Sequence, residues 1–153
     1  MKKIIVLFAI ILIAGTSAFA QKITADKVPA AVKQAFQTKF PKATAAKWEM
    51  EKKDYEVGFK LNGTEGSANF DATGKWLETE TEIKYEALPQ AVKATITNKF
   101  KGYKAGETNK VETPDKGVLY EVELSKGTEK IEIQFTKEGE VKSRKVEGKK
   151  EKD

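Results

Sequence analysis

The chain has 153 residues, of which 28 are Lys or Arg and 23 are Asp or Glu, for a net charge of +5, and it has no histidine and no cysteine. Those two absences remove Ser–His–Asp and Cys–His catalysis, the usual zinc sites, disulfide staples and lipid attachment through cysteine. Opposite charges are interspersed and basic clusters do not coincide with stacking aromatics, so no nucleic-acid partner is expected.

Residues 1–20 read as a secretory signal peptide. Lys2 and Lys3 give a positive start, Ile4 to Ala14 is an apolar run, and Ala18-Phe19-Ala20 supplies small residues around a cleavage point before Gln21. The run of about eleven residues is well short of the ~20 that a spanning helix needs. No later segment is apolar enough to span a bilayer, so the expected location is the periplasm or the exterior. Without Lys2 and Lys3 the balance is 26 basic against 23 acidic residues, or +3 over the 133 residues from Gln21 to Asp153. A chain of that size suits one domain, or two very small ones sharing a core.

The first element expected after Gln21 is a helix. Pro29 suits its first turn, and Thr24 or Asp26 is a candidate cap. Val28, Val32, Ala35, Phe36 and Phe40 recur at three- and four-residue steps, one apolar stripe that Pro41 ends. Strands follow. Ala46, Trp48 and Met50 share one face, Lys52-Lys53-Asp54 turns, and Tyr55, Val57, Phe59 and Leu61 alternate with polar residues. Asn62-Gly63 is a two-residue hairpin signal. Gly66, Ala68 and Phe70 form the next inward set, Asp71 to Gly74 turns, and Leu77, Thr79, Thr81 and Ile83 read as a last strand.

The same plan then repeats. Leu88-Pro89-Gln90-Ala91-Val92-Lys93 matches Val28-Pro29-Ala30-Ala31-Val32-Lys33, and Phe100 matches Phe40, at an offset of 60. Tyr120 matches Tyr55, Phe135 matches Phe70, and Gly139 matches Gly74, at an offset of 65. An inserted loop of about five residues is therefore expected at Thr113 to Gly117. The strands of the second copy run from about Ala105 to Glu112, through Val118, Tyr120, Val122 and Leu124, through Ile131, Ile133 and Phe135, and from Val141 to Val146. That last strand is polar, which suits a sheet edge. The expected fold class is α+β. It consists of two tandem helix-plus-four-strand antiparallel units over 21–86 and 87–147, in two layers, with the sheets able to join as one curved sheet. Residues 148–153 read as a disordered tail.

The Val/Leu-Pro-x-Ala-Val helix start, Phe40-Pro41, Phe100, and the strands Tyr55-Glu56-Val57 and Tyr120-Glu121-Val122 resemble the PepSY-like, beta-lactamase-inhibitor-like family of exported Bacteroidetes proteins. The resemblance covers nearly all of the mature chain. It implies tandem αββββ units with an open, concave sheet face, and a periplasmic location. This chain departs from the pattern at Phe100, which Lys101-Gly102 follows in place of proline. It also lacks the paired cysteines of the inhibitor that gives the family its name, and no inhibitory loop carries over.

Carboxylates are the remaining chemistry. Glu49 and Glu51, Glu121 and Glu123, and Glu78, Glu80 and Glu82 each share a strand face. The plain reading is a solvated sheet surface, and the sharper one is acid–base work by a pair whose pKa values differ. No calcium-loop spacing is present, and neither a metal nor a cofactor is expected. Trp76, out of phase with Leu77, and Tyr85 and Tyr103, in connections, are candidate partner-binding residues, with Lys60 beside them on the open face. The leading functional expectation is an exported, non-enzymatic binding or inhibitory module that contacts a protein or peptide through the open sheet face. A structural or housekeeping periplasmic protein without a specific partner is the alternative, and a carboxylate hydrolase is the third.

Overall fold

The computed structural model describes residues 21–146; the signal peptide and the tail expected at 148–153 lie outside them. Nine strands form one antiparallel sheet in chain order: β1 (Gln21–Ile23), β2 (Thr44–Glu51), β3 (Asp54–Leu61), β4 (Thr64–Phe70), β5 (Trp76–Glu82), β6 (Lys104–Thr113), β7 (Gly117–Lys126), β8 (Glu129–Phe135) and β9 (Val141–Val146). Helix α1 (Ala30–Lys39) lies between β1 and β2, and α2 (Gln90–Lys99) between β5 and β6. The two copies thus fuse into one sheet through β5 and β6, and the polar β9 forms an edge, as its composition suggests.

Three details differ from the sequence reading. Each helix starts one residue after its proline, and neither Thr24 nor Asp26 caps α1; Thr24 instead opens a 3-10 turn over Ala25–Lys27 without a side-chain bond. A short strand, β1, precedes that turn and pairs Ile23 with Trp48. It stands to β2 as β5 stands to β6, so β5 closes the first unit and also opens the second. The five extra residues of the second copy are mostly strand rather than loop. β6 runs two residues further than β2, β7 begins two residues earlier than β3, and the turn gains one.

Both helices pack on the same face of the sheet. Val32 and Phe36 of α1 meet Trp48, Val57, Phe59, Ala68 and Phe70; Val92 and Ile96 of α2 meet Val122, Leu124, Ile131, Ile133 and Phe135. Phe36 stacks edge-on against Trp48 and Phe59, with ring centroids 5.5 and 5.4 Å apart. Phe40 and Phe100 cap their helices and join these two cores. Each helix start is seated on a glycine turn. A Cβ at Gly74 would lie 2.7 Å from the Ala31 carbonyl oxygen, and one at Gly139 2.5 Å from that of Ala91. Both glycines also have positive φ, +87° and +83°. The repeated glycines therefore fix the approach of helix to sheet in both copies.

Candidate functional site: the open face of the sheet

With both helices on one face, the other carries no helix among the described residues. Strand pairing arranges its side chains in rows. One row runs Ser67, Glu80, Val111, Leu119 across β4 to β7. The next runs Glu82, Asn109, Glu121, Gln134, Ser143 across β5 to β9. Glu56, Asn69 and Glu78 form a third across β3 to β5. The centre of this face is shielded without a covering layer: Val111 is 1% exposed, Leu119 5%, Ser67 1% and Glu121 8%. Neighbouring side chains on the twisted sheet account for that shielding. The face is a trough with an apolar floor at Val111 and Leu119.

The plain expectation of solvated glutamates fails in this trough. Burial, reinforced by Glu121, Glu78, Glu56 and Glu132, pushes the Glu80 carboxyl up to about 9. Burial and then the charges of Glu49, Glu51 and Glu78 push Glu56 up to about 7. Glu121 also rises to about 7, through burial and Glu132, against a lowering hydrogen bond in which the Gln134 amide donates to its Oε2 at 3.0 Å. Burial raises Glu78 as well. The cause is common to all four. Carboxylates on adjacent strands are held close in a partly dry trough, where the charged form loses water and meets its like. Ser143 completes the floor by donating to the Gln134 Oε1 at 3.2 Å.

The four candidate contact residues do not form one patch. Lys60 lies on the open face at its outer part, exposed and 3.2 Å from Glu65. Trp76 lies on the helix side. A register shift between Asn69 and Phe70 sets Trp76 opposite Phe70, so that Trp76 packs on the first core in place of Leu77, which was expected to face inward. Its indole N–H donates to the Thr79 Oγ1 at 2.8 Å, and the Lys39 ammonium sits 3.6 Å above its ring. Tyr85 and Tyr103 pack against the second core, and the Tyr103 hydroxyl donates to Glu129 at 2.6 Å. The sequence reading missed Val111 and Leu119. Leu119 is the one apolar residue on the polar side of its strand's alternation, and that was the available signal.

The profile of the beta-lactamase-inhibitor-like, PepSY-like family matches residues 16–65 and 59–143. The chain belongs to that family. Among solved structures it is similar to a BLIP-like protein of Bacteroides fragilis, at 26% identity over 82% of this chain and 91% of that one, with a TM-score of 0.72. Two others share the fold. A DUF2874 family protein of Bacteroides ovatus is 20% identical, with 80% and 89% coverage and a TM-score of 0.73. A Bacteroides eggerthii protein named as periplasmic is 23% identical, with 78% and 88% coverage and a TM-score of 0.73. No curated protein matches the chain in sequence.

Acid–base catalysis by paired carboxylates needs one held low and its partner held high. Here the shifted carboxyls of the open face all move upward, by the same burial and mutual repulsion. Among the described residues, no group of three or more acidic side chains is placed to hold a metal ion, and no helix is long and apolar enough to cross a membrane.

Proposed function

We propose that the mature chain is an exported binding or inhibitory module of the periplasm, which docks a protein or peptide partner in the open trough of the sheet. The observation that carries this reading is a sheet face that no helix covers among the described residues, on which the carboxyls of Glu56, Glu78 and Glu80 are gathered half-buried. The helix side is covered by two packed cores, whereas the open face carries no helix and leaves Glu56, Glu78 and Glu80 half-buried around its shielded centre. Those features suit a partner that brings hydrogen-bond donors or positive charge to Glu56, Glu78 and Glu80. Lys60, at the outer part of the same face, is the one residue of the sequence-derived contact set that such a partner meets directly. Trp76, Tyr85 and Tyr103 support the sheet from behind.

The test is site-specific photo-crosslinking in the exporting cell. A photoreactive side chain at Asn69 places the probe in the trough, and one at Gln34 places it on the outer surface of α1. A discrete adduct from Asn69 and none from Gln34 is expected. Adducts from Gln34 alone would move the working surface to the helices, and no adduct from either would favour a protein without a specific partner.

A further inference from the structure

The second unit builds a cavity of about 860 Å3 that opens where β7 begins, β8 ends and β9 begins. Leu119, Gln134 and Ser143 belong to its floor, and Val118 forms a wall that is 41% exposed. The polar floor atoms are already engaged, Gln134 with Glu121 and Ser143 with Gln134. The floor therefore presents mainly apolar surface to an incoming molecule. The rim is cationic: Lys116 comes from the lengthened β6–β7 hairpin, Lys137 from the β8–β9 turn and Lys142 from β9. Glu138, also at the rim, is 3.7 Å from Lys137, and Lys142 is 3.0 Å from Glu140 outside the cavity. All four of these side chains are more than half exposed, so the pairs are weak and exchange readily for another anion.

The first copy supplies an internal comparison. Val118 belongs to the two residues by which β7 is extended and has no counterpart there, whereas Lys116, directly before β7, answers to Lys53, directly before β3. At the offset of 65, Leu119 corresponds to Asp54, Lys137 to Ala72, Lys142 to Leu77 and Ser143 to Glu78. The equivalent place carries Asp54 and Glu78 where the second unit has Leu119 and Ser143, and it lacks lysines at the positions of Lys137 and Lys142. Duplication followed by divergence at these positions, while the cores stayed alike, concentrates the difference between copies in one concave site.

We propose that this cavity binds a monoanionic amphiphile, a carboxylate on an apolar stem. The stem lies over Val118 and Leu119, and the carboxylate sits among Lys116, Lys137 and Lys142. The volume is within the usual ~300–1,000 Å3 range of small-molecule sites, and the pairing of apolar floor with basic rim excludes a cationic head. The site lies at one end of the open trough and shares Leu119 with it. A small ligand and a docked partner are nonetheless separate events, and the ligand test needs no partner.

The experiment titrates the isotope-labelled mature chain with dodecanoate below its micelle concentration and follows backbone amide shifts. Saturable one-to-one shifts centred on Val118, Leu119, Gln134 and Ser143 are expected. Acetate and dodecyltrimethylammonium, which carry the head alone and the stem with the opposite charge, are expected to give none. The double variant Lys116→Ala, Lys142→Ala should weaken binding at least about fivefold. Lys42→Ala, Lys53→Ala in the first unit should leave it unchanged, and unchanged shifts elsewhere in the spectrum report that both variants fold. Unsaturable or scattered shifts, equal binding of the cationic amphiphile, or equal affinity in the Lys116/Lys142 variant would overturn the proposal. Binding to phosphatidylglycerol vesicles without any response to dissolved dodecanoate would overturn it too, because that result means surface attraction and not a cavity.

Discussion

Glu80 of β5 and Val111 of β6 face each other across the seam where the two units join, and both point into the open trough. The pairing places a carboxyl beside a side chain that is 1% exposed, in the most shielded row of that face. An ionised carboxylate loses hydration there and finds no cation among its principal neighbours, which are Glu121, Glu78, Glu56 and Glu132. Burial and these like charges therefore favour the protonated form of Glu80 at the seam between the copies.

Stability should consequently fall as pH rises. The unfolded chain releases these protons near the ordinary value of 4.5, whereas the folded chain holds them to about 7 at Glu56 and Glu121 and to about 9 at Glu80. In that window the folded state binds more protons than the unfolded state, so the stability present below 4.5 declines through 9. Thermal unfolding followed by circular dichroism is expected to give a higher Tm at pH 5.5 than at pH 8.5. Glu80→Gln keeps the shape and removes the ionisation, so it should flatten this slope and stabilise the fold at pH 8.5 by about 1–2 kcal/mol. A Tm that climbs with pH across the window would refute a dry carboxyl trough.

The glycine turns should be unequal in their tolerance of alanine. Gly63 has a φ of +85° but open space around its missing Cβ, so Gly63→Ala meets only backbone strain, about 1 kcal/mol. Gly139 has the same kind of φ, and a Cβ there also runs into the Ala91 carbonyl and the Thr95 hydroxyl. Thr95 meanwhile donates to the Gly139 carbonyl at 2.9 Å. Gly139→Ala must push α2 off the sheet and should cost at least about twice as much as Gly63→Ala. Denaturant unfolding of the two variants makes the comparison, and equal losses would show that the helix approach is not set by this turn.

Trp76 should behave as a core residue. Trp76→Ala removes its contact with the first core, its bond to Thr79 and the surface on which Lys39 rests, and about 2–3 kcal/mol of stability should go with them. A variant as stable as the parent would restore Trp76 to the role of an exposed contact residue.

Much of the fold was legible because it depends on local periodicity. The helix stripes, the Tyr55 and Tyr120 strands and the Gly74 and Gly139 turns each follow a short pattern that duplication displays twice, and Asn62-Gly63 is a local turn signal of the first copy. The site was less legible because it depends on pairing between distant strands. A single register shift at Asn69/Phe70 turned Trp76 from the surface to the core. The rows containing Glu80, Val111 and Leu119 exist only after β5 meets β6 and the sheet curls. Alternation assigned Glu80 and Glu121 correctly to the polar side, but it carried no information on how far neighbouring side chains would shield them.

The most direct test uses methyl-labelled mature protein and the partner captured by the trough crosslink. Val111 lines the trough floor and takes no part in either helix-side core, whereas Val32 and Val92 sit under α1 and α2. An open-face partner predicts that the Val111 methyl resonances shift or broaden on addition of that partner while those of Val32 and Val92 stay in place. Perturbed Val32 and Val92 with an unmoved Val111 would contradict it.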